Sequence, residues 1–283
     1  MITDFLISDL TYFFIYLIIV VSFNLAFGYT GLVNLGHMVF FGIGAYTSAI
    51  LTLHGMPWYF ALPIAGIFTS FIGAIIAAIT VRLKGDYFQI VTLGLVFIAI
   101  AVSRNWISLT RGALGLPGVP HIIKDNFYYM IFTFSISALC MAFFYRLTKS
   151  ETGKIFQAIR DDETATAILG KNTYFYKILS ISISTFFTGI AGSLFVHMLN
   201  FVDPSFFDLE FFVIILAMLI VGGLASIKAS IAGTFILFVL IDSLRFLVVS
   251  PELIGPVRQM SLMLILILIL IFRPRGILGK VDV

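Results

Sequence analysis

Apolar runs separated by short polar or glycine-rich breaks fill most of this 283-residue chain. A helix needs roughly 20 apolar residues to cross the hydrocarbon core of a bilayer, and most of these runs approach that length. The pattern therefore predicts an all-α, polytopic membrane protein with about nine transmembrane helices, within a range of eight to ten. The nine runs are residues 11–27, a run that follows His37 and ends near Leu53, and then 58–81, 87–102, 127–145, 178–199, 211–224, 231–249 and 257–272. The glycine-rich stretch 28–37 indicates a broken or re-entrant segment.

The residues from 146 to about 177 form the only long polar interruption. Within it, residues 152–169 predict a helix with Ile155, Ala158 and Ile159 on one side and most of its charges on other sides. Gly170 follows as a helix-ending residue, for which we expect a left-handed backbone. A short amphipathic helix between membrane spans can bind a soluble partner through its apolar stripe. An ordinary solvated connector is the alternative.

Composition supports a chain that lives in a bilayer. Hydrophobic residues make up 60% of it and charged residues only 11%, whereas a soluble domain carries roughly 25% charged residues. With one cysteine, Cys140, the chain forms no internal disulfide, and we expect no cysteine metal site. No basic cluster alternates with aromatic residues, so we expect no nucleic-acid partner. The first apolar run lacks a preceding basic region, which argues against a cleaved signal peptide.

The distribution of basic residues orients the predicted spans. Of the 17 lysines and arginines, twelve fall on one side of the nine-span arrangement, four fall on the other, and Arg245 lies inside a span. The side with more positive charge faces the cytoplasm in most membrane proteins. The prediction therefore has the N-terminus outside, the C-terminus inside and the polar interruption in the cytoplasm.

Several polar residues lie in or near the apolar runs, where they are expensive in lipid. Asp242 and Arg245 are three positions apart in the eighth run, hence on one helix face, where an ion pair offsets part of the cost of burial. A second group consists of candidates for a polar translocation path between the helices: Asn24, Asn34, His37, Gln89 and Thr92, with His197 and Asn200 as further polar residues of the same kind. Each of them can equally form an interhelical hydrogen bond with a structural role.

Common catalytic motifs are missing from the sequence. It contains no Gly-x-x-x-x-Gly-Lys-[Ser/Thr] phosphate loop and no His-Glu-x-x-His zinc motif. Residues 189–193 do not fit a nucleophile elbow, and no suitable aspartate and histidine follow them. We therefore expect no enzymatic activity, no catalytic residues and no metal site.

Six blocks, in order along the chain, carry a resemblance to a known family: residues 24–46, 82–94, 153–170, 191–194, 221–226 and 272–279. The first reads Asn-Leu-Ala-Phe-Gly-Tyr-Thr-Gly-Leu-Val-Asn-Leu-Gly-His and continues to Tyr46. The third reads Gly-Lys-Ile-Phe-Gln-Ala-Ile-Arg-Asp-Asp-Glu-Thr-Ala-Thr-Ala-Ile-Leu-Gly. Together they resemble LivM-type permeases, the membrane subunits of branched-chain amino acid ABC importers, over nearly the whole chain.

The resemblance implies a single permease domain over residues 1–283, with a cytoplasmic coupling segment at about 149–177. In such importers a cytoplasmic helix docks into a groove on the ATPase subunit, and Glu163, Ala165, Ala167 and Gly170 occupy that position here. ATP is bound by the partner subunits, so this chain is expected to need no cofactor. The implied partners are two ATP-binding cassette subunits, a second related permease, an extracytoplasmic substrate-binding protein and membrane lipid. The implied location is a bacterial cytoplasmic membrane.

The predicted function is the translocation of branched-chain or related small amino acids by ATP-driven alternating access. Other amino acids, urea and short amides are alternative solutes within the broader family. An ion-coupled secondary transporter is the competing class, with Asp242 as its proton or cation site. A purely structural scaffold is disfavoured, because the spans carry so many polar residues.

Overall fold

The computed structural model describes residues 2–83, 85–243, 251–273 and 275–279, and this part of the chain is overwhelmingly helical. The all-α prediction is confirmed. The first half contains α1 (Ile2–Asn24), α2 (His37–Leu53), α3 (Trp58–Thr80), α4 (Asp86–Asn105), α5 (Ile107–Thr110) and α6 (Asn126–Lys149). The second half contains α7 (Glu151–Asp161), α8 (Glu163–Ile168), α9 (Thr173–Leu199), α10 (Leu209–Gly222), α11 (Ile227–Ser243) and α12 (Pro251–Phe272).

Each of the nine predicted spans overlaps one of the longer helices, and residues 244–249 of the eighth lie outside the described part of the chain. Five of the described helices are long and apolar enough to cross a membrane: residues 4–29, 58–80, 86–105, 126–149 and 173–199. Of the other long helices, α2, α10 and α11 are shorter; α2, for example, has 17 residues, which gives about 26 Å against a hydrocarbon core of about 30 Å. The chain is therefore a multi-span membrane protein, and the count of nine crossings stays a prediction.

Burial separates the inner helices from the outer ones. The most apolar parts of residues 4–29 and of α9 are mostly buried, and α9 packs along both α2 and α3. In contrast, α3, α4 and α6 expose many large apolar side chains, such as Phe71, Ile90 and Leu139. Apolar outer faces of this kind suit contact with lipid, and the buried core runs along the axis formed by α1 and α9.

Irregular segments complete the ends of the bundle. A two-stranded antiparallel ladder joins β1 (Leu116–Pro117) to β2 (Phe201–Val202), at the end of the bundle opposite α7 and α8. At the α7–α8 end, the last described segment packs back on α10. There the backbone N–H groups of Ile277 and Leu278 each donate to a carbonyl at the end of α10, those of Val221 and Gly222, at 2.9 Å. These two bonds satisfy carbonyls that a helix end otherwise leaves free.

Small residues of α2 and α9 allow these two helices to approach closely. A Cβ added at Gly192 would lie 2.1 Å from the carbonyl oxygen of Phe41, and one added at Gly44 would lie 2.3 Å from that of Gly189. Backbone atoms cannot rotate away as side chains can, so these positions accept only glycine. Glycines at such positions allow two membrane helices to pack closely.

Gly192→Val should therefore prevent normal packing of α2 against α9 and sharply reduce the amount of folded protein recovered from membranes. Overpacking costs roughly 1–3 kcal/mol where side chains can adjust, and the backbone contact places this case at or above the upper end. Gly94→Val is the matched control, because a Cβ at Gly94 meets no heavy atom within 4 Å. The measurement is the yield of monodisperse protein in mild detergent, and equal yields of the two variants would contradict the prediction.

Candidate functional site

The predicted single helix over residues 152–169 is wrong, because the chain breaks at Asp162. The structure forms two helices, α7 and α8, and Asp162 between them is extended, with φ −156° and ψ 104°. Its side chain accepts a hydrogen bond from the backbone N–H of Ala165 at 2.9 Å, which caps the start of the second helix. Gly170 has φ +80°, so its predicted left-handed conformation is confirmed.

The apolar stripe predicted for this segment is already covered by the chain itself. In α7, Phe156 and Ile159 are buried against the membrane helices, Ile155 is half-buried and Ala158 is exposed. The expectation that this stripe binds a soluble partner is therefore corrected. Its main apolar side chains are used to hold α7 on the bundle.

A different apolar surface is exposed in its place. Ile168 and Leu169, which we call the apolar tip, are 81% and 79% exposed at the end of α8. Ala165 and Ala167 on the same helix and Gly170 after it are also exposed. Sequence reasoning overlooked the tip, although two large apolar residues directly before a helix-ending glycine in a polar segment were a readable signal.

Glu163 has a partner within the chain. Its carboxylate accepts from Lys177 Nζ at 2.5 Å and from Thr173 Oγ1 at 3.2 Å. The Lys177 side chain is only 9% exposed, whereas that of Glu163 is 38% exposed. The ion pair therefore fixes the start of α8 to the start of α9. Of the four predicted coupling residues, Ala165, Ala167 and Gly170 are presented to solvent, and Glu163 helps to position them.

A polar cavity of about 340 Å³ lies beside this segment, between α7, α8, the start of α4 and residues 30–33. Gln89 borders it, together with charged residues of both signs, among them Arg160, Asp162 and Lys177. Gln89 is half-buried. It is the one predicted path residue that lines this cavity.

Asn24 instead holds two distant parts of the chain together. Its Oδ1 accepts from the Ala225 backbone N–H at 3.1 Å, and its Nδ2 donates to the Ser226 carbonyl at 3.2 Å and to Ser230 Oγ at 2.6 Å. The side chain is buried, with 1% exposure. All its hydrogen-bonding groups are thus engaged with the turn between α10 and α11 and with α11 itself.

Asn34 and Thr92 shape the irregular segment that leads into α2. Asn34 Oδ1 accepts from the Gly36 N–H at 3.0 Å. Thr92 Oγ1, on α4, accepts from the Leu35 N–H at 3.2 Å and donates to the Gln89 carbonyl at 3.0 Å. The predicted break in the glycine-rich stretch is present here. α1 continues as a π-helix, Leu25–Tyr29, and regular structure resumes only at α2.

His37 belongs to a separate buried cluster between three helices. Its Nε2 lies 2.8 Å from Thr188 Oγ1 and 3.4 Å from Ser22 Oγ, and those two hydroxyls lie 2.9 Å apart. The cluster joins α1, α2 and α9. The five predicted path residues therefore do not meet in one place, and a solute route along them stays a prediction.

The predicted ion pair in the eighth span lies outside the described residues, because neither the Asp242 side chain nor any part of Arg245 belongs to them.

A second histidine, at the end of the bundle opposite α7, belongs to a hydrogen-bond network. His197 Nδ1 donates to the Pro120 carbonyl at 2.8 Å, so Nε2 of the neutral ring accepts from Ser48 Oγ at 2.9 Å. Ser193 Oγ donates to Ser48 Oγ at 2.7 Å. The sequence already indicates His197 as a polar residue in an apolar run, and its spacing of four from Ser193 places both on one face of α9.

These observations define the class of the protein. Apolar helices of membrane-spanning length form a bundle, and two helices outside the spans, α7 and α8, present the exposed apolar tip. This is the architecture of a multi-span membrane protein with a helical segment outside its spans.

Residues 5–272 match the family described as the permease component of the branched-chain amino acid transport system, and the chain belongs to that family. The predicted resemblance is thereby confirmed, as is the expectation that the chain is not an enzyme. Membership in this family supports the prediction of a permease component over the alternative of an ion-coupled secondary transporter.

Individual relatives agree with this assignment. The chain is 30% identical over 297 residues to the high-affinity branched-chain amino acid transport system permease protein LivM of Escherichia coli (strain K12), an alignment that covers 93% of this chain and 68% of that protein. A probable LivM permease of Methanocaldococcus jannaschii is 23% identical over 96% of this chain and 92% of its own length. The permease protein LivH of Salmonella typhimurium is 26% identical over 95% and 92%. No solved structure matches the chain.

Proposed function

We propose that this chain is a membrane-embedded permease subunit of an ATP-binding cassette importer that moves branched-chain or related small amino acids into the cell. The observation that carries the ATP-driven part of this proposal is the apolar tip. Two large apolar side chains that are each about four-fifths exposed on a rigidly held helix outside the spans are poorly explained unless a partner covers them.

The tip and its neighbours act as the docking surface for an ATPase subunit. Ile168 and Leu169 enter an apolar groove on that subunit, while the small side chains of Ala165 and Ala167 allow close approach. Gly170 turns the chain back toward α9. Glu163 does not need to touch the partner, because its ion pair with Lys177 sets the direction in which α8 points.

The remaining subunits follow from the family. This chain resembles two permease proteins with different names, LivM and LivH, which supports a second, related permease as its partner in the membrane. The proposed assembly also contains two ATPase subunits, which bind the ATP, and an extracytoplasmic binding protein; this chain carries no cofactor. The α7–α8 end faces the cytoplasm of a bacterial cell, in agreement with the distribution of basic residues.

Reconstituted transport tests the proposal. The chain, its second permease and the ATPase subunits are placed in proteoliposomes with ATP on the side of α7 and α8, and the binding protein is added on the other side. We expect uptake of radiolabelled leucine that requires ATP, persists with a protonophore and is inhibited by excess valine and isoleucine. Uptake that needs no ATP and collapses with the protonophore would contradict an ATP-driven permease. Inhibition only by urea or acetamide would show that the solute is a urea or amide rather than a branched-chain amino acid.

A further inference from the structure

One charged side chain connects α7 to the end of α1. Arg160, the residue before the last in α7, donates from Nη1 to the Gly28 carbonyl at 2.8 Å. Its Nε and Nη2 donate to Asp161 Oδ1 at 2.9 and 2.7 Å. Only 15% of the side chain is exposed. Asp161 thus holds the guanidinium plane in place, and the remaining nitrogen points at the membrane-embedded bundle.

The acceptor lies where a helix ends. Gly28 belongs to the π-helix Leu25–Tyr29, which extends α1. Carbonyls in the last turn of a helix have no partner within it, and a cation is favourable there because the helix dipole is negative at that end. Arg160 supplies both the donor and the positive charge. The contact is therefore chemically specific rather than an incidental approach of a flexible side chain.

Close packing on both sides leaves this turn little freedom to slide. A Cβ added at Gly31, where φ is +76°, would lie 3.0 Å from Cγ of Arg160. A Cβ added at Gly28 would lie 1.9 Å from Oδ1 of Asn24 and 2.7 Å from the backbone nitrogen of Ala225. The end of α1 is thus held between Arg160 on one side and the turn between α10 and α11 on the other.

We propose that Arg160 is a positioning residue that transmits movement of the α7–α8 segment to the membrane helices through Gly28. Because Asn24 binds the backbone of Ala225 and Ser226, a shift of the Gly28 turn also reaches α10 and α11. This inference rests on the proposed function, since it needs an ATPase that moves α8. It assigns a role to a residue that lies away from the apolar tip.

Removal of the Arg160 side chain should leave the fold intact. Phe156 and Ile159 are buried and hold α7 on the bundle, and the ion pair of Glu163 with Lys177 holds α8. The alanine variant therefore keeps the docking surface while it loses the link to Gly28. A residue that acted only in docking would lose binding of the ATPase when replaced. A residue that acted only in folding would lower the amount of protein without changing the ratio of leucine to ATP.

The test measures ATP hydrolysis and leucine uptake in the same proteoliposomes of the whole complex, for Arg160→Ala, Arg160→Lys and Lys154→Ala. Lys154 is the control, because it is an exposed cation on the same helix. We expect Arg160→Ala to hydrolyse ATP while the number of leucine molecules moved per ATP falls by about fivefold or more, the lower end of the usual range for coupling between sites. Arg160→Lys, which retains a charged donor, should recover part of the ratio, and Lys154→Ala should match the unaltered protein.

An unchanged ratio of leucine to ATP in Arg160→Ala, with ATP-dependent uptake intact, overturns the inference and leaves the proposed function standing. If Arg160→Ala does not accumulate, Arg160→Lys and Arg160→Gln decide: a reduced ratio in both supports the inference, and a normal ratio in both overturns it. Loss of ATPase binding in Arg160→Ala also overturns it, because the residue then acts in docking. If the unaltered complex shows no ATP-dependent uptake, the proposed function itself fails.

Discussion

Ile168→Asp should abolish most ATP-dependent uptake while the protein reaches the membrane in normal amounts. Ile168 is 81% exposed, so its replacement removes almost no packing within the chain. An aspartate near the end of a helix is unfavourable by less than about 1 kcal/mol. At an apolar interface, by contrast, a central side chain contributes roughly 2 kcal/mol or more, which corresponds to at least about a 30-fold loss of binding.

The measurement is the amount of ATPase subunit that purifies with the permease, compared with the initial rate of leucine uptake. Both should fall together. Lys154→Glu is the control, because it also makes an exposed site on the same segment more negative and leaves the apolar tip unchanged. Normal uptake and normal ATPase recovery in Ile168→Asp would show that α7 and α8 are only a connector.

Asn24→Ala should produce the second large effect, a loss of stability of about 3 kcal/mol or more. The substitution removes three hydrogen bonds and leaves the buried N–H of Ala225 without its acceptor, whereas the Ser226 carbonyl still accepts from the N–H and the hydroxyl of Ser230. The two other lost bonds contribute about 1 kcal/mol each. Each unsatisfied buried polar group costs about 1–3 kcal/mol. The expected result is a clearly lower unfolding temperature in detergent, with an increased tendency of the protein to aggregate.

Asn105→Ala provides the comparison for Asn24→Ala. The Asn105 side chain donates to the Ala101 carbonyl at 2.8 Å at an exposed site, where water replaces the lost bond and the effect stays within about 0.5 kcal/mol. Equal unfolding temperatures for the two variants would mean that the hydrogen bonds of Asn24 do not stabilise the fold. That outcome would restore Asn24 as a candidate for direct contact with solute.

The existence of the long helices could be predicted because it depends only on local sequence. A run such as residues 173–199 is apolar over a length that crosses a bilayer, and a helix satisfies all the backbone hydrogen bonds of such a segment internally. The break at Asp162 could not be predicted in the same way. Three acidic residues stand in a row at 161–163, and either of the two aspartates is a reasonable helix cap. Only the finished backbone decides which carboxylate meets the N–H of Ala165.

At the candidate site, the contacts of individual side chains could not be predicted from the sequence around them. An apolar stripe on α7 and an apolar tip on α8 look equally suited to a partner in the sequence, yet the chain covers the first with its own helices. The partners of Asn24 lie about 200 positions away, at Ala225 and Ser226, and no spacing rule connects them. Polarity in a span therefore identified residues that matter, without identifying what they contact.

The return of residues 275–279 to the end of α10 sets an order of events during synthesis. The Val221 and Gly222 carbonyls emerge from the ribosome more than 50 residues before Ile277 and Leu278, the groups that will satisfy them. Until then, these two carbonyls at the end of α10 lack the donors that the finished chain provides. All of α11 and α12 is therefore made before the end of α10 acquires its final hydrogen bonds.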